Sequence, residues 1–374
     1  MLTNTPPAVR PSSPHFSSGP CAKPPGWSPD KIDTRILGRS HRSGLGKQRL
    51  KLCIDLMREM LDLPDTHRLG IVPGSDTGAF ELAMWTMLGA RPVTCLAWES
   101  FGEGWVTDAV KQLKLDPAVI RADYGHLPDL GQVDWSNDVL FTWNGTTSGV
   151  RVPDGDWIAE DRDGLSFADA TSAVFAYDLP WDRIDVATFS WQKALGGEGA
   201  HGVLILGPRA VERLESYAPE RPLPKIFRLT KGGKLIEGIF TGETINTPSM
   251  LAVEDAIWTL EWAQSVGGLP GMIARTEANA AALDRIVERR NWLGHLAQDP
   301  ASRSKTSVCL TVDGADNDFI KRFAKLLEGE GAAYDIAGYR DAPPGLRIWC
   351  GATVDTADIE TLGPWLDWAW EQCQ

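Results

Sequence analysis

The chain has 374 residues, 43% of them hydrophobic, and a formal net charge of −13. That length exceeds one compact core of ordinary size, so two domains are expected, and the apolar content suffices to fill both. The acidic balance, without any Lys- or Arg-rich run, argues against nucleic acid, and no apolar run approaches the roughly 20 residues that span a bilayer.

The chain opens on MLTNTPPAVRPSSPHFSSGP, which is Pro- and Ser-rich and lacks the apolar core of a signal peptide. Residues 1–15 are therefore expected to form a flexible N-terminal arm. KQRLKLCIDLMREMLDL (47–63) repeats apolar residues at helical spacing, LGIVPG (69–74) reads as a buried strand, and TGAFELAMWTMLGA (77–90) as an amphipathic helix. Strands are expected in 92–100, 118–125, 138–145, 164–173, 185–192 and 201–207. Such continuous apolar runs suit a mostly parallel sheet covered by helices on both faces. A break follows at APERPLPKIFRLTKGGK (218–234), and then a helical stretch over 250–290. Strands near 306–313, 332–338 and 345–350, with helices near 316–329 and 356–372, complete the chain. The expected fold class is α/β, with a large domain over 16–262 and a smaller α+β domain over 263–374. Six cysteines stand singly with no CxxC pair, which suits neither a zinc site nor a disulfide scaffold and points to a cytoplasmic protein.

One stretch raises a chemical question: ATFSWQKALGGEGAHGVLILG, residues 187–207. Gly197, Gly199 and Gly202 spell GxGxxG, but the dinucleotide fingerprint needs a helix after its glycines, and HGVLILG reads as a strand. What remains is a lysine, Lys193, in a turn after a buried strand. Asp169 ends the preceding strand. Ligands of parallel sheets bind at carboxyl ends of strands, where Ser75–Thr77, Asn144–Thr146, Asp169 and Lys193 all fall.

A lysine and an aspartate so placed suit Schiff-base chemistry. The amine must be unprotonated, which burial and a cationic neighbour promote. If the aldehyde is that of pyridoxal phosphate, a carboxylate must keep the ring nitrogen protonated, and Asp169 is placed to do so. GSDTGAFELAMW offers a glycine turn into a helix N-terminus for the phosphate, and Trp105 offers a ring to cover the cofactor. Each residue alone has an ordinary reading: an ion-paired lysine, a helix-capping aspartate, a packing tryptophan among sixteen. Their order along one α/β chain is the stronger signal.

In that order the sequence resembles the phosphoserine aminotransferases, pyridoxal-phosphate enzymes of the aspartate-aminotransferase fold. The matching segments are SHR (40–42), GW (104–105), NGTTSG (144–149), DATSA (169–173), WQKALGG (191–197), NTPS (246–249) and GYRDAPPGLRI (338–348). The resemblance implies a catalytic Lys193 bearing pyridoxal 5′-phosphate, Asp169 on the ring nitrogen, Thr146 on the ring hydroxyl and Trp105 stacked on the ring. It implies that Asp76 and Thr77 bind the cofactor phosphate through their backbone, with Gln192 nearby. Asn246 and Thr247 would reach that phosphate from a neighbouring subunit, making the active unit a homodimer with shared sites. Arg347 would hold the substrate α-carboxylate, and Arg340, with His41 and Arg42 of the other subunit, the substrate phosphate. The implied substrates are O-phosphoserine and 2-oxoglutarate, with glutamate and 3-phosphohydroxypyruvate in the opposite direction.

Two departures from the family pattern stand out. The Asp76 carboxylate must point away from the cofactor phosphate, and Tyr339 replaces a histidine common in relatives. Among other classes, a serine–glyoxylate aminotransferase would have no use for a phosphate site. A cysteine desulfurase would need a mobile cysteine, whereas Cys309 and Cys350 lie in apolar strands. A non-catalytic protein would have lost Lys193 or Asp169.

Overall fold

The computed structural model describes residues 5–374; the first four residues of the expected arm lie outside that range. In chain order, α1 (Gly44–Met60) leads to β1 (Arg68–Pro73), α2 (Ser75–Met87), β2 (Val93–Ala97), α3 (Ser100–Thr107), β3 (Ala118–Arg121) and β4 (Asp138–Thr142). A short hairpin, β5 (Asn144–Gly145) and β6 (Val150–Arg151), precedes β7 (Ser166–Asp169), β8 (Val186–Ser190), β9 (His201–Leu206) and α4 (Pro208–Ser216). A second short hairpin, β10 (Thr230–Lys231) and β11 (Lys234–Leu235), is followed by α5 (Met250–Ser265) and α6 (Gly268–Glu288). The chain ends with β12 (Leu293–His295), β13 (Ser307–Val312), α7 (Asn317–Gly329), β14 (Gly345–Trp349) and α8 (Thr356–Cys373).

Seven strands form the central sheet in the order β1-β9-β8-β7-β4-β2-β3, parallel throughout except for β9. Side chains of one strand serve two cores, which is why the runs are continuously apolar. Leu69 and Ile71, Ala187 and Phe189, and Val203 and Ile205 pack on one face, with α1 and α5. Val72, Val186, Leu204 and Leu206 pack on the other, with α2 and α4. The sheet is thus covered on both faces, as its sequence pattern requires.

The C-terminal part carries a three-stranded antiparallel sheet, β12-β13-β14, against α6 and α7, with α8 packed on those two helices. The helical stretch expected over 250–290 is present as two helices, parted where Gly267 (φ 108°) takes the left-handed conformation that glycine adopts without steric cost. One expectation needs correction. The strand expected over 332–338 is absent; that segment makes only the isolated bridges His15–Tyr334 and Ala337–Leu346. Asp335 at φ 56° breaks its extended path, and Leu293–His295 supplies the third strand instead.

The segment expected as a loose arm makes specific contacts where it is described. The backbone N–H of Ser12 donates to Asp358 at 2.5 Å, and Val9 accepts from the Trp365 indole at 2.7 Å. Among the described residues no helix is long and apolar enough to cross a membrane.

Candidate active site

β4, β7 and β8 are parallel neighbours, and β1 runs the same way because antiparallel β9 lies between it and β8. The carboxyl ends of these four strands therefore share one edge of the sheet. The loops after them enclose a cavity of about 110 Å³. Its lining unites Asp76, Thr77, Trp105, Thr146, Asp169, Gln192 and Lys193, together with Ser75 and Thr171. Seven of the expected site residues thus meet at the one place the topology favours.

Lys193 lies in the turn after β8 with 8% of its surface exposed, and its Nζ donates to the backbone carbonyl of Ser18. Burial pushes its pKa below the ordinary lysine value. Cys21 works against that shift, the Arg347 guanidinium adds to it, and Asp169 and Glu99 oppose it. The outcome is an amine that gives up its proton more readily than a surface lysine. Gly19 makes room for it, since a Cβ there would collide with Lys193 Nζ.

Asp169, the last residue of β7, accepts from the backbone N–H of Thr171 at 3.1 Å and from Trp105 Nε1 at 3.0 Å. Trp105 packs against Phe80 with ring centroids 4.6 Å apart, so its indole edge meets the carboxylate. Thr146 Oγ1 donates to Ser172 Oγ at 2.9 Å, and Ser172 Oγ donates to the carbonyl of Asn144 at 2.9 Å. The α2 N-terminus begins at Gly74 (φ 88°), whose left-handed conformation turns the chain from β1 into the helix. The first backbone N–H groups of such a helix lack intrahelical acceptors and face an anion favourably.

The Asp76 carboxyl, expected to point away from the cofactor phosphate, is turned inward rather than to solvent. It is 6% exposed and faces Asp169, Thr171 and Thr188. Burial, reinforced by the like charge of Asp169, pushes its pKa well above the usual carboxylate range.

Glu99 is a residue that sequence reasoning missed. Its buried carboxyl caps α3 by accepting from the N–H groups of Phe101 (2.8 Å) and Gly102 (2.9 Å). Its other oxygen accepts from Thr147 N (3.2 Å) and Thr147 Oγ1 (2.6 Å). One carboxyl thus ties the helix carrying Trp105 to the turn carrying Thr146. The available signal was an acidic residue at a strand end immediately before a helix, a capping position.

The remaining expected residues lie outside this cavity. His41 and Arg42 line a second one, of about 300 Å³, with Lys47, Gly242, Glu243 and Thr244. Asn246 and Thr247 are exposed. Arg340 is exposed, its Nε 3.5 Å from the carboxylate of Asp341. Arg347, on β14, sets its guanidinium 5.5 Å from the centre of the Tyr339 ring, and its buried Nε has no hydrogen-bond partner. The thiol of Cys309 is buried and pushed up to about 12, and burial raises that of Cys350 further, so neither suits a nucleophile.

No family model matches the chain. A phosphoserine aminotransferase of Methanosarcina barkeri is 60% identical over 361 residues, covering 96% of this chain and 97% of that protein. The chain belongs to the phosphoserine aminotransferase family. In three dimensions it is similar to a phosphoserine aminotransferase from Cytophaga hutchinsonii, with a TM-score of 0.83, 22% identity, and 94% and 97% of the two chains covered. An alanine–glyoxylate aminotransferase from Nostoc superposes nearly as well, with a TM-score of 0.81, 16% identity, and coverage of 98% and 97%. The backbone therefore identifies the aminotransferase fold, and the sequence separates the phosphoserine family within it.

Proposed function

We propose that the chain exchanges an amino group between O-phosphoserine and 2-oxoglutarate, reversibly giving 3-phosphohydroxypyruvate and glutamate, with pyridoxal 5′-phosphate as cofactor. The observation that carries this reading is the buried Lys193 amine and the Asp169 carboxyl lining one cavity beside the N-terminus of α2. These groups fit the cofactor by charge: an amine for its aldehyde, a carboxylate for its ring nitrogen, helix N–H groups for its phosphate. When bound, the cofactor supplies an electron sink for the pair left on the substrate α-carbon.

The protein's own groups do the rest. Lys193 Nζ would hold the cofactor by its aldehyde and, when displaced by the substrate amino group, would serve as the base that moves the α-proton. Asp169 keeps the ring nitrogen protonated. Thr146 holds the ring hydroxyl, and Trp105 covers the ring. The backbone of Asp76 and Thr77 holds the cofactor phosphate, with Gln192 beside it. Arg347 pairs with the substrate α-carboxylate, to which a guanidinium fork is suited. Arg340 takes the substrate phosphate, together with His41 and Arg42 of a second copy of the chain. Asn246 and Thr247 of that copy complete the cofactor-phosphate site.

A homodimer with shared sites is supported by the placement of these last four residues. His41 and Arg42 share their cavity with Gly242–Thr244, just before Asn246, so all four lie close together on one part of the surface. We place the enzyme in the cytoplasm, consistent with six unpaired thiols. The direct test is turnover of purified protein supplied with O-phosphoserine and 2-oxoglutarate, compared with serine and glyoxylate. The expected result is strong preference for the phosphorylated pair. Equal or better use of serine with glyoxylate would overturn the assignment.

A further inference from the structure

Asp76 is a buried ionisable group for which the proposed chemistry has no use beyond its backbone. It occupies the first turn of α2, where an exposed carboxylate would interact favourably with the helix dipole. Instead the residue is only 6% exposed, and its buried Oδ1 has no hydrogen-bond partner. An orphaned, buried carboxyl oxygen is costly unless something at the site uses it.

The surroundings are specific. From β7 it is faced by the carboxyl of Asp169, from the following turn by the hydroxyl of Thr171, and from β8 by that of Thr188. Lys193 and Gln192, after β8, line the same cavity. The fields of Glu99 and Arg347 reach Lys193. Two carboxyl groups at close quarters in a low dielectric cannot both hold a negative charge cheaply, and one proton shared between them resolves the conflict.

We propose that Asp76 is a positioning residue which stays protonated at neutral pH and donates its proton as a hydrogen bond to Asp169, so that the pair carries one negative charge. Two consequences follow for the cofactor, and they rest on the cofactor reading given above. Asp169 is fixed in orientation from the side opposite the ring nitrogen. The α2 N-terminus is also left without a competing carboxylate, so its N–H groups remain available to the cofactor phosphate. Ionising Asp76 undoes both effects, placing a second negative charge beside Asp169 and a like charge near the phosphate. Burial and the Asp169 charge raise the Asp76 pKa, and the hydroxyls of Thr171 and Thr188 offset part of that rise.

The test uses pyridoxamine phosphate, which has no aldehyde and binds only through its phosphate and ring contacts. Its affinity for the protein stripped of cofactor is measured by calorimetry from neutral pH to about pH 10, for wild type and Asp76→Asn. Asparagine keeps an N–H donor towards Asp169 but cannot ionise. The expected result is that, from neutral to alkaline pH, wild type weakens about 10-fold more than the variant does relative to its own neutral affinity, the loss that one pKa unit of coupling corresponds to. The ligand's own ionisations are common to both proteins and cancel in the comparison. Parallel curves would overturn the proposal. If wild type binds pyridoxamine phosphate at no pH, the cofactor reading itself falls, and this inference with it. If Asp76→Asn does not fold, Asp76→Ala takes its place: it must also lack the alkaline loss, and an alkaline loss equal to wild type's would overturn the proposal.

Discussion

Burial of Lys193 and the field of Arg347 both favour the free amine, and Ser18 gives that amine a hydrogen-bond acceptor while it waits. Borohydride reduction of the holoprotein should therefore leave the cofactor on the peptide containing Lys193, read by mass spectrometry. Lys193→Ala should lose both the label and turnover; transamination near the wild-type rate in that variant would remove the mechanism. Asp169→Asn should keep the fold but lower the rate by about 100-fold or more, the usual scale of such charge stabilisation. A loss under about threefold would show that the partner of the ring nitrogen is another group. Arg340 and Arg347 should separate by half-reaction. Arg340→Ala should weaken the O-phosphoserine half-reaction by about 10- to 100-fold, equivalent to roughly 1.5–3 kcal/mol for a charge-assisted pair, and spare glutamate. Arg347→Ala should damage both, because both substrates present an α-carboxylate; single-turnover kinetics read the two cases apart.

Asp76 gives the same scale a stability signature. Its pKa is higher in the folded protein than in the unfolded chain, so its favourable contribution is complete below the ordinary carboxylate range. That contribution is lost as pH rises through the folded-state pKa. Denaturation midpoints of wild type should fall towards alkaline pH more steeply than those of Asp76→Asn.

At the scale of elements, the site depends on how α3 and the β5–β6 turn are held together. Glu99→Ala removes a helix cap and leaves the donors of Phe101, Gly102 and Thr147, those of Gly102 and Thr147 buried, without their acceptor. We expect a loss of about 2–4 kcal/mol in unfolding free energy, read from denaturant curves, together with weaker cofactor binding as Trp105 and Thr146 drift apart. An unchanged midpoint would show that the two elements are fixed by packing alone. This tie also explains what the sequence disclosed and what it hid. Lys193, Asp169 and Thr146 were legible because each falls at the carboxyl end of an apolar strand, where ligands bind. Glu99 and Ser18 were not, because their roles lie in partners far along the chain, 48 residues away at Thr147 and 175 at Lys193. The missing strand at 332–338 failed for a local reason, the positive φ of Asp335, which hydrophobic pattern does not encode. The GxGxxG of residues 197–202 has a packing use: a Cβ on Gly202 in β9 would collide with the carbonyl of Ser75, so glycine lets α2 approach the sheet.

For the whole molecule, the parallel sheet with two covered faces was legible from its unbroken apolar runs, whereas assembly is not a property of one chain's core. The grouping of His41 and Arg42 with the 242–244 segment leads us to expect complementation between inactive chains. Mixing Lys193→Ala with a variant altered at Asn246 and Thr247 should restore activity, since each mixed dimer recovers one intact site. No recovery, with subunit exchange demonstrated, would count against a shared site. The central claim, that this cavity moves an amino group from O-phosphoserine by way of a lysine-held cofactor, is met most directly by rapid-scan absorbance of the holoprotein. O-phosphoserine should bleach the yellow band within single turnovers, 2-oxoglutarate should restore it, and serine without its phosphate should do neither at matched concentration. A band that ignores O-phosphoserine, or that serine bleaches equally well, would contradict the account.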